Sequence, residues 1–220
     1  MANISNKTLL DRVFAATSTE ESRNLYNEWA NSYDSDMAEH EFTAPRLVAE
    51  AVVRGLKVTH IPDSKSAMSK IIIADAGCGT GLVGVELAKI GAKAIDGLDI
   101  SQGMLDVASN TGAYRDFKIA DLTTRLPIVD ATYDVVTCCG TFTHGHLGPE
   151  PLEEFLRIIK TSGIVVATVL KSHWEEKGFE AEVKRLEKEG KLEVVENEYR
   201  SYRKDTGGGL VLILRKTSGS

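Results

Sequence analysis

The residues in this chain best placed to do chemistry are a run of glycines and three aspartates. In residues 71–84, IIIADAGCGTGLVG, an apolar stretch meets Asp75 and then glycine at 77, 79, 81 and 84. A strand that passes through such a turn into a helix leaves bare backbone and a helix N-terminus facing outward, an arrangement that holds nucleotide-like ligands. Gly79, Gly81 and Gly84 match G-x-G-x-x-G, and Asp99 lies 20 residues past Gly79, where a carboxylate can accept from both hydroxyls of a ribose. Asp121 ends a further apolar run. The glycines alone would admit NAD or FAD. Asp75 argues against them, because a carboxylate two residues before the first glycine repels a pyrophosphate and attracts an ammonium or sulfonium. No Gly-Lys-Ser/Thr follows, which excludes a P-loop.

A second group of candidates sits in the segment GTFTHGHLGP after a predicted strand. His144 and His146 are the candidate general bases there, His144 being nearer the strand end. Their i, i+2 spacing has no evident third ligand, so no metal is expected. His173, Trp174 and Tyr199 are further pocket candidates. The three cysteines, Cys78, Cys138 and Cys139, are odd in number and two are adjacent, a pattern that suits neither a disulfide framework nor zinc. A net charge of −6 argues against binding a phosphate backbone, which needs clustered Lys and Arg. No apolar run approaches the roughly 18 residues of a spanning helix, and the N-terminus lacks the apolar core of a signal peptide. The expectation is a cytoplasmic protein with a small-molecule partner, no nucleic acid and no membrane contact. Nothing in the sequence sets the oligomeric state.

Positioning those residues requires strands that end where they stand. With 220 residues, 42% of them apolar, the chain suits a single domain. Ser18 and Glu21 have capping-box spacing, and Leu25, Tyr26 and Trp29 recur at helical intervals ahead of Tyr33 and Asp34. A second helix follows Thr43, with Pro45 in its first turn and Gly55 as its stop. Residues 57–70 read as a loop. From there strands at 94–100, 117–120, 133–139 and 164–170 alternate with helices, which implies right-handed crossovers and a parallel sheet. A charged helix over 174–188 precedes two runs, 192–202 and 210–215, that flank three glycines and form a hairpin, so the last strand must run antiparallel. The expected architecture is α/β: a Rossmann-like three-layer sandwich with a mostly parallel seven-stranded sheet over 71–216. An N-terminal helical cap over 1–56 covers the carboxyl edge of the sheet.

With these motifs the chain resembles the class I S-adenosylmethionine-dependent methyltransferases of small-molecule type. ADAGCGTG is similar to their first motif, GLDIS with Met104 and Leu105 to the second-strand acid and its helix, and Ala120, Asp121 and Leu122 to the third-strand end. YNEWANSYD and GTFTHGHLGP resemble the methyltransferase-like type 27 group. The resemblance implies S-adenosyl-L-methionine as cofactor and S-adenosyl-L-homocysteine as product. It implies that Gly77, Gly79 and Gly81 admit the methionine part and ribose, with Asp75 orienting the amino group. It further implies that Asp99 takes the ribose hydroxyls, that Ile100 and Met104 sandwich the adenine, and that Asp121 and Leu122 read its edge. Cys138 or Cys139, with Gly140, would line the methionine arm, and Tyr26, Trp29 and Tyr33 would close the site. A methyl acceptor, taken by O-, N- or S-methylation, is implied but not identified. The same fold also admits an enzyme that binds the cofactor for a non-methylating, pericyclase-like reaction, or a regulatory cofactor-binding domain.

Overall fold

The computed structural model describes residues 8–58, 64–143, 147–204 and 207–218. Its centre is one seven-stranded sheet in the order β3-β2-β1-β4-β5-β7-β6. The strands are β1 (Ile72–Ala76), β2 (Ala94–Asp99), β3 (Asp116–Ile119), β4 (Tyr133–Phe142), β5 (Ile159–Leu170), β6 (Leu192–Arg203) and β7 (Gly207–Lys216). Strands β1 to β5 pair in parallel, while β7 lies between β5 and β6 and runs antiparallel to both. This is the Rossmann-like sheet with a reversed last strand that the alternating pattern and terminal hairpin predict. The order reverses beside β1, so the crevice at the carboxyl ends of β1, β2 and β4 is where an open α/β sheet takes its ligand.

Strand alternation explains the two apolar layers, since successive side chains face opposite sides. On one face, Ile73, Ile95, Val135, Ile164 and Ile213 pack against α4 (Ala44–Gly55), α5 (Ser64–Met68) and α6 (Leu82–Lys89). On the other, Val136, Val165 and Leu212 pack against α8 (Pro151–Ile158) and α10 (Phe179–Lys188). Helix α7 (Gln102–Ser109) follows β2, capped by Ser101, whose side chain accepts the Met104 N–H at 3.1 Å.

Several expected boundaries move, each for a local reason. Gly55 is the last residue of α4 rather than a stop beyond it; a Cβ there would meet Ile164 at 2.7 Å, so the glycine lets the helix seat on the sheet. The stretch read as a loop contains α5. The helix expected over 174–188 is two, α9 (Lys171–Glu176) and α10, parted at Gly178, whose φ of 78° is left-handed. Strand β5 starts at Ile159, directly after α8, rather than after Gly163.

The cap comprises α1 (Leu9–Phe14), α2 (Thr19–Trp29) and α3 (Tyr33–Glu39); α4, which the expected cap over 1–56 included, packs instead on a face of the sheet because its apolar side is met by Ile73, Val135 and Ile164. Ser18 caps α2 by accepting the Glu21 N–H at 3.1 Å, but the Glu21 carboxylate turns back to Thr17, so the expected box closes one residue early. The aromatic run does not continue as one helix: it breaks at Ala30 and restarts at Tyr33. Val13, Leu25, Trp29 and Met37 form a small core of their own between these helices.

Candidate functional site

Where β1, β2 and β4 end, a cleft of about 550 Å³ opens beneath the cap. That is the size range of small-molecule sites. Its walls include Gly77, Gly79, Asp99, Ile100, Met104, Asp121, Leu122, Cys139, Gly140, Tyr26 and Tyr33. The ends of β1, β2, β3 and β4 thus bring most of the predicted residues to one place.

Asp99 is the centre of the arrangement. One carboxylate oxygen accepts the Gly79 N–H and the other the Ser101 N–H, each at 2.9 Å. Each oxygen keeps a second lone pair, and together they present two acceptors to the cleft, the requirement for a vicinal diol. Burial pushes the Asp99 carboxyl up, opposed by the N–H groups of Ser101 and Gly79. Gly79 has φ of 54°, and a Cβ built there would meet nothing within 4 Å, so its bare backbone faces open space that a ligand can enter. Asp121 uses one oxygen in an Asx turn, accepting from the Thr123 N–H at 2.8 Å and hydroxyl at 2.6 Å, and its other oxygen is left for a donor in the cleft. Ile100 and the buried Met104 add apolar surface to the wall.

Four expected cofactor residues stand elsewhere. Asp75 does not line the cleft: it is fully buried, with the Tyr114 hydroxyl donating to one oxygen at 2.7 Å and the Thr137 hydroxyl to the other at 2.8 Å. It braces the glycine turn from behind. Cys138 faces the core and Cys139, its neighbour on β4, lines the cleft, because adjacent strand residues point to opposite faces. Burial pushes both thiols up, which removes either as a thiolate nucleophile at neutral pH. Trp29 is 1% exposed and lies behind Tyr26 and Tyr33, its ring 4.8 Å from that of Tyr33 and its Nε1–H donating to Asp36 at 2.6 Å. It supports the two tyrosines that do reach the cleft. Gly81 is the left-handed N-cap of α6, one step outside the wall. His173 is buried, with Nε2 2.7 Å from the Leu147 carbonyl and its ring against Phe179, so it is a core histidine; Tyr199 is exposed on β6. His144 and His146 lie outside the described residues.

The position of Asp75 has a pH consequence. Burial raises its carboxyl to about 6, the two hydroxyl donors holding it down and Asp99 pushing the same way as burial. In the unfolded chain it titrates near the ordinary carboxylate value. The folded state therefore binds the proton more tightly, and that contribution to stability is present below about pH 4 and is lost as pH rises to about 6. Denaturant melts between pH 4 and 7 should show wild type losing up to about 3 kcal/mol relative to Asp75→Asn across that window. Parallel profiles for the two proteins would contradict the buried, titrating carboxyl.

Sequence reasoning missed the ties between cap and core. Asn27 on α2 accepts from the Ser101 hydroxyl at 2.7 Å and the Gly103 N–H at 3.0 Å. Asp34 on α3 accepts from the Thr80 hydroxyl at 2.5 Å. Both partners belong to the turns that shape the cleft. Asn27 and Asp34 directly follow Tyr26 and Tyr33 in YNEWANSYD, so the polar members of that run were the signal.

Comparison with known proteins identifies the family. Residues 73–163 match the family described as a methyltransferase domain. Human methyltransferase-like protein 27 is 31% identical over 173 residues, covering 77% of this chain and 67% of the relative. Among solved structures, magnesium protoporphyrin IX methyltransferase from Synechocystis PCC 6803 with bound S-adenosylmethionine superposes with a TM-score of 0.58 at 16% identity, covering 95% of this chain and 90% of the other. The (4+2) cyclase SpnF superposes with a TM-score of 0.67 at 17% identity, covering 93% and 98%. These two likenesses show the fold; the closer sequence kinship shows the family. The chain belongs to the S-adenosylmethionine-dependent methyltransferases, in the family of methyltransferase-like protein 27.

Proposed function

We propose that this enzyme methylates a small-molecule acceptor held between the cleft and the aromatic cap, at an oxygen, nitrogen or sulfur atom. The observation that carries the reading is the convergence of Asp99, Asp121 and the bare Gly79 backbone beside Gly140, under a cap tied down by Asn27 and Asp34. The donor set fits the cofactor: paired acceptors for a diol, a single acceptor for an exocyclic amine, and an apolar pair for a planar base. S-adenosylmethionine supplies an electrophilic methyl group on a sulfonium. The chain's part is to fix that group in line with the acceptor and to keep water out, which is where much of the rate of such a displacement arises. A base is required only for acceptors protonated at working pH, and His144 or His146 is proposed for that role. No helix among the described residues is long and apolar enough to cross a membrane, and the proposed setting is the cytoplasm.

The cap should matter to cofactor binding although Trp29 does not line the main cleft. Trp29→Ala removes the largest side chain of the cap's core and leaves a cavity under Tyr26 and Tyr33, a change that costs about 3–5 kcal/mol in a well-packed site. Calorimetry should show S-adenosylhomocysteine affinity reduced about tenfold; unchanged affinity would refute the closing role of the cap. The reaction itself is tested with label: methyl-labelled cofactor is offered with phenols, acids, amines and thiols, beside the His144→Ala variant. Label in a product establishes transfer. Cofactor binding with no labelled product from any class would favour the non-methylating chemistry for which the same fold is known in SpnF.

A further inference from the structure

Beyond Gly140, on the side away from the glycine turn, lies a second and smaller chamber. It shares Gly140, Tyr26 and Tyr33 with the main cleft and is otherwise lined chiefly by Phe14, Phe42, Tyr202 and Arg203. Arg203 ends β6. The adjoining backbone holds it against the cap, because the Thr43 N–H donates to the Tyr202 carbonyl and the Lys204 N–H to the His40 carbonyl, at 3.0 and 3.1 Å.

The surroundings of this guanidinium are unusual for the chain. Its Cζ lies 5.3 Å from the Phe42 ring centre and 6.0 Å from that of Phe14. One terminal nitrogen meets the Met37 sulfur at 3.1 Å, and Nε is buried without a hydrogen-bond partner. Among the described residues no carboxylate pairs with it. Other arginines of this acidic protein are paired: Arg54 with Glu196, Arg115 with Asp96, Arg157 with Glu154 and Asp130. Aromatic faces recover only part of what a cation loses on leaving water, and a partly buried charge without a counter-charge is otherwise a cost. The phenols of Tyr33 and Tyr202 lie near enough for the Arg203 charge to oppose the effect of burial on them. They stay neutral and can donate.

We propose that Arg203 anchors a carboxylate of the methyl acceptor, an organic acid with a planar apolar body whose accepting atom points past Gly140 toward the methyl donor. A guanidinium offers the paired N–H donors that a carboxylate takes two at a time, and aromatic walls suit a flat body. One cation and neutral phenols match a monoanion rather than a phosphate dianion. The chamber holds only about 30 Å³, room for the carboxylate alone, so the body of the acid spans the boundary at Gly140, Tyr26 and Tyr33 that the chamber shares with the main cleft. The proposal rests on the main cleft being the donor site.

The test uses the intact protein saturated with S-adenosylhomocysteine. Benzoate, 4-hydroxybenzoate, cinnamate and indole-3-acetate are compared with their primary amides by ligand-observed NMR titration. At least one acid should bind tenfold or more tighter than its amide. Arg203→Met, which keeps an apolar stem under the phenyl rings, should erase that preference, and Arg203→Lys should keep part of it. S-adenosylhomocysteine affinity, measured separately by calorimetry, should stay within about threefold in both variants. If no acid outbinds its amide, or if the preference survives in Arg203→Met, the assignment is overturned. If S-adenosylhomocysteine itself does not bind wild type, the reading of the main cleft has failed and this inference with it.

Discussion

Asp99→Ala should lower the affinity for S-adenosylmethionine and S-adenosylhomocysteine at least 100-fold. Two losses combine. The ribose loses both acceptors, and a charge-assisted hydrogen bond in a shielded site is worth about 1.5–3 kcal/mol. The Gly79 and Ser101 N–H groups also lose the carboxylate that fixes them, so the glycine turn and the start of α7 are no longer held in binding geometry. Asp99→Asn separates the two, because its single carbonyl oxygen can still take one N–H; a loss of about tenfold is expected. Acidification should mimic the variant. Burial raises the Asp99 carboxyl, so affinity should fall on the acid side as that group takes up its proton, and Asp99→Asn should remove the dependence. Calorimetric titrations at several pH values measure all three effects.

Gly84→Ala should cost about 4 kcal/mol of stability although the residue touches no ligand. A Cβ at position 84 would stand 2.3 Å from Cζ of Tyr114 and 2.5 Å from its hydroxyl oxygen. That ring has no cheap way out: its hydroxyl accepts the Gly84 N–H at 3.1 Å, donates to Asp75 at 2.7 Å, and the ring lies 5.0 Å from Phe117. Moving it strips a buried carboxyl of one of its two donors and opens a gap beside α6, and each such change costs about 1–3 kcal/mol. For a domain of this length the melting temperature should drop by about 10 °C. Adding Tyr114→Phe to Gly84→Ala should recover little, because Asp75 still lacks the hydroxyl. A melting temperature for Gly84→Ala within 2 °C of wild type, by the same size relation, would refute this packing. The third glycine of the G-x-G-x-x-G pattern is therefore explained by Tyr114, not by phosphate.

The frame of the site is legible in the sequence because it depends on local signals. The apolar run, the glycine turn and the strand-end acids are each read within about ten residues, and the sheet's parallel order follows from their alternation. What escaped is side-chain direction and distant pairing. Asp75 and Asp99 look alike in sequence, yet one turns inward to Tyr114 and Thr137 while the other faces the cleft, and no nearby residue announces the difference. Cys138 and Cys139 differ by one step of register, which swaps core for cleft. The break between α2 and α3 at Ala30 has no glycine or proline to announce it. Arg203 is 161 residues from Phe42 and 189 from Phe14, by subtraction of their numbers, and only the paired β6 and β7 bring it beneath the cap.

The proposed site of S-adenosylmethionine is the cleft at the ends of β1, β2 and β4. Isothermal titration of the purified protein with S-adenosylhomocysteine, and separately with NADH, tests it directly. One-to-one binding of S-adenosylhomocysteine in the micromolar range is expected, lost in Asp99→Ala, with no heat from NADH. Binding of NADH with no heat from S-adenosylhomocysteine would contradict it.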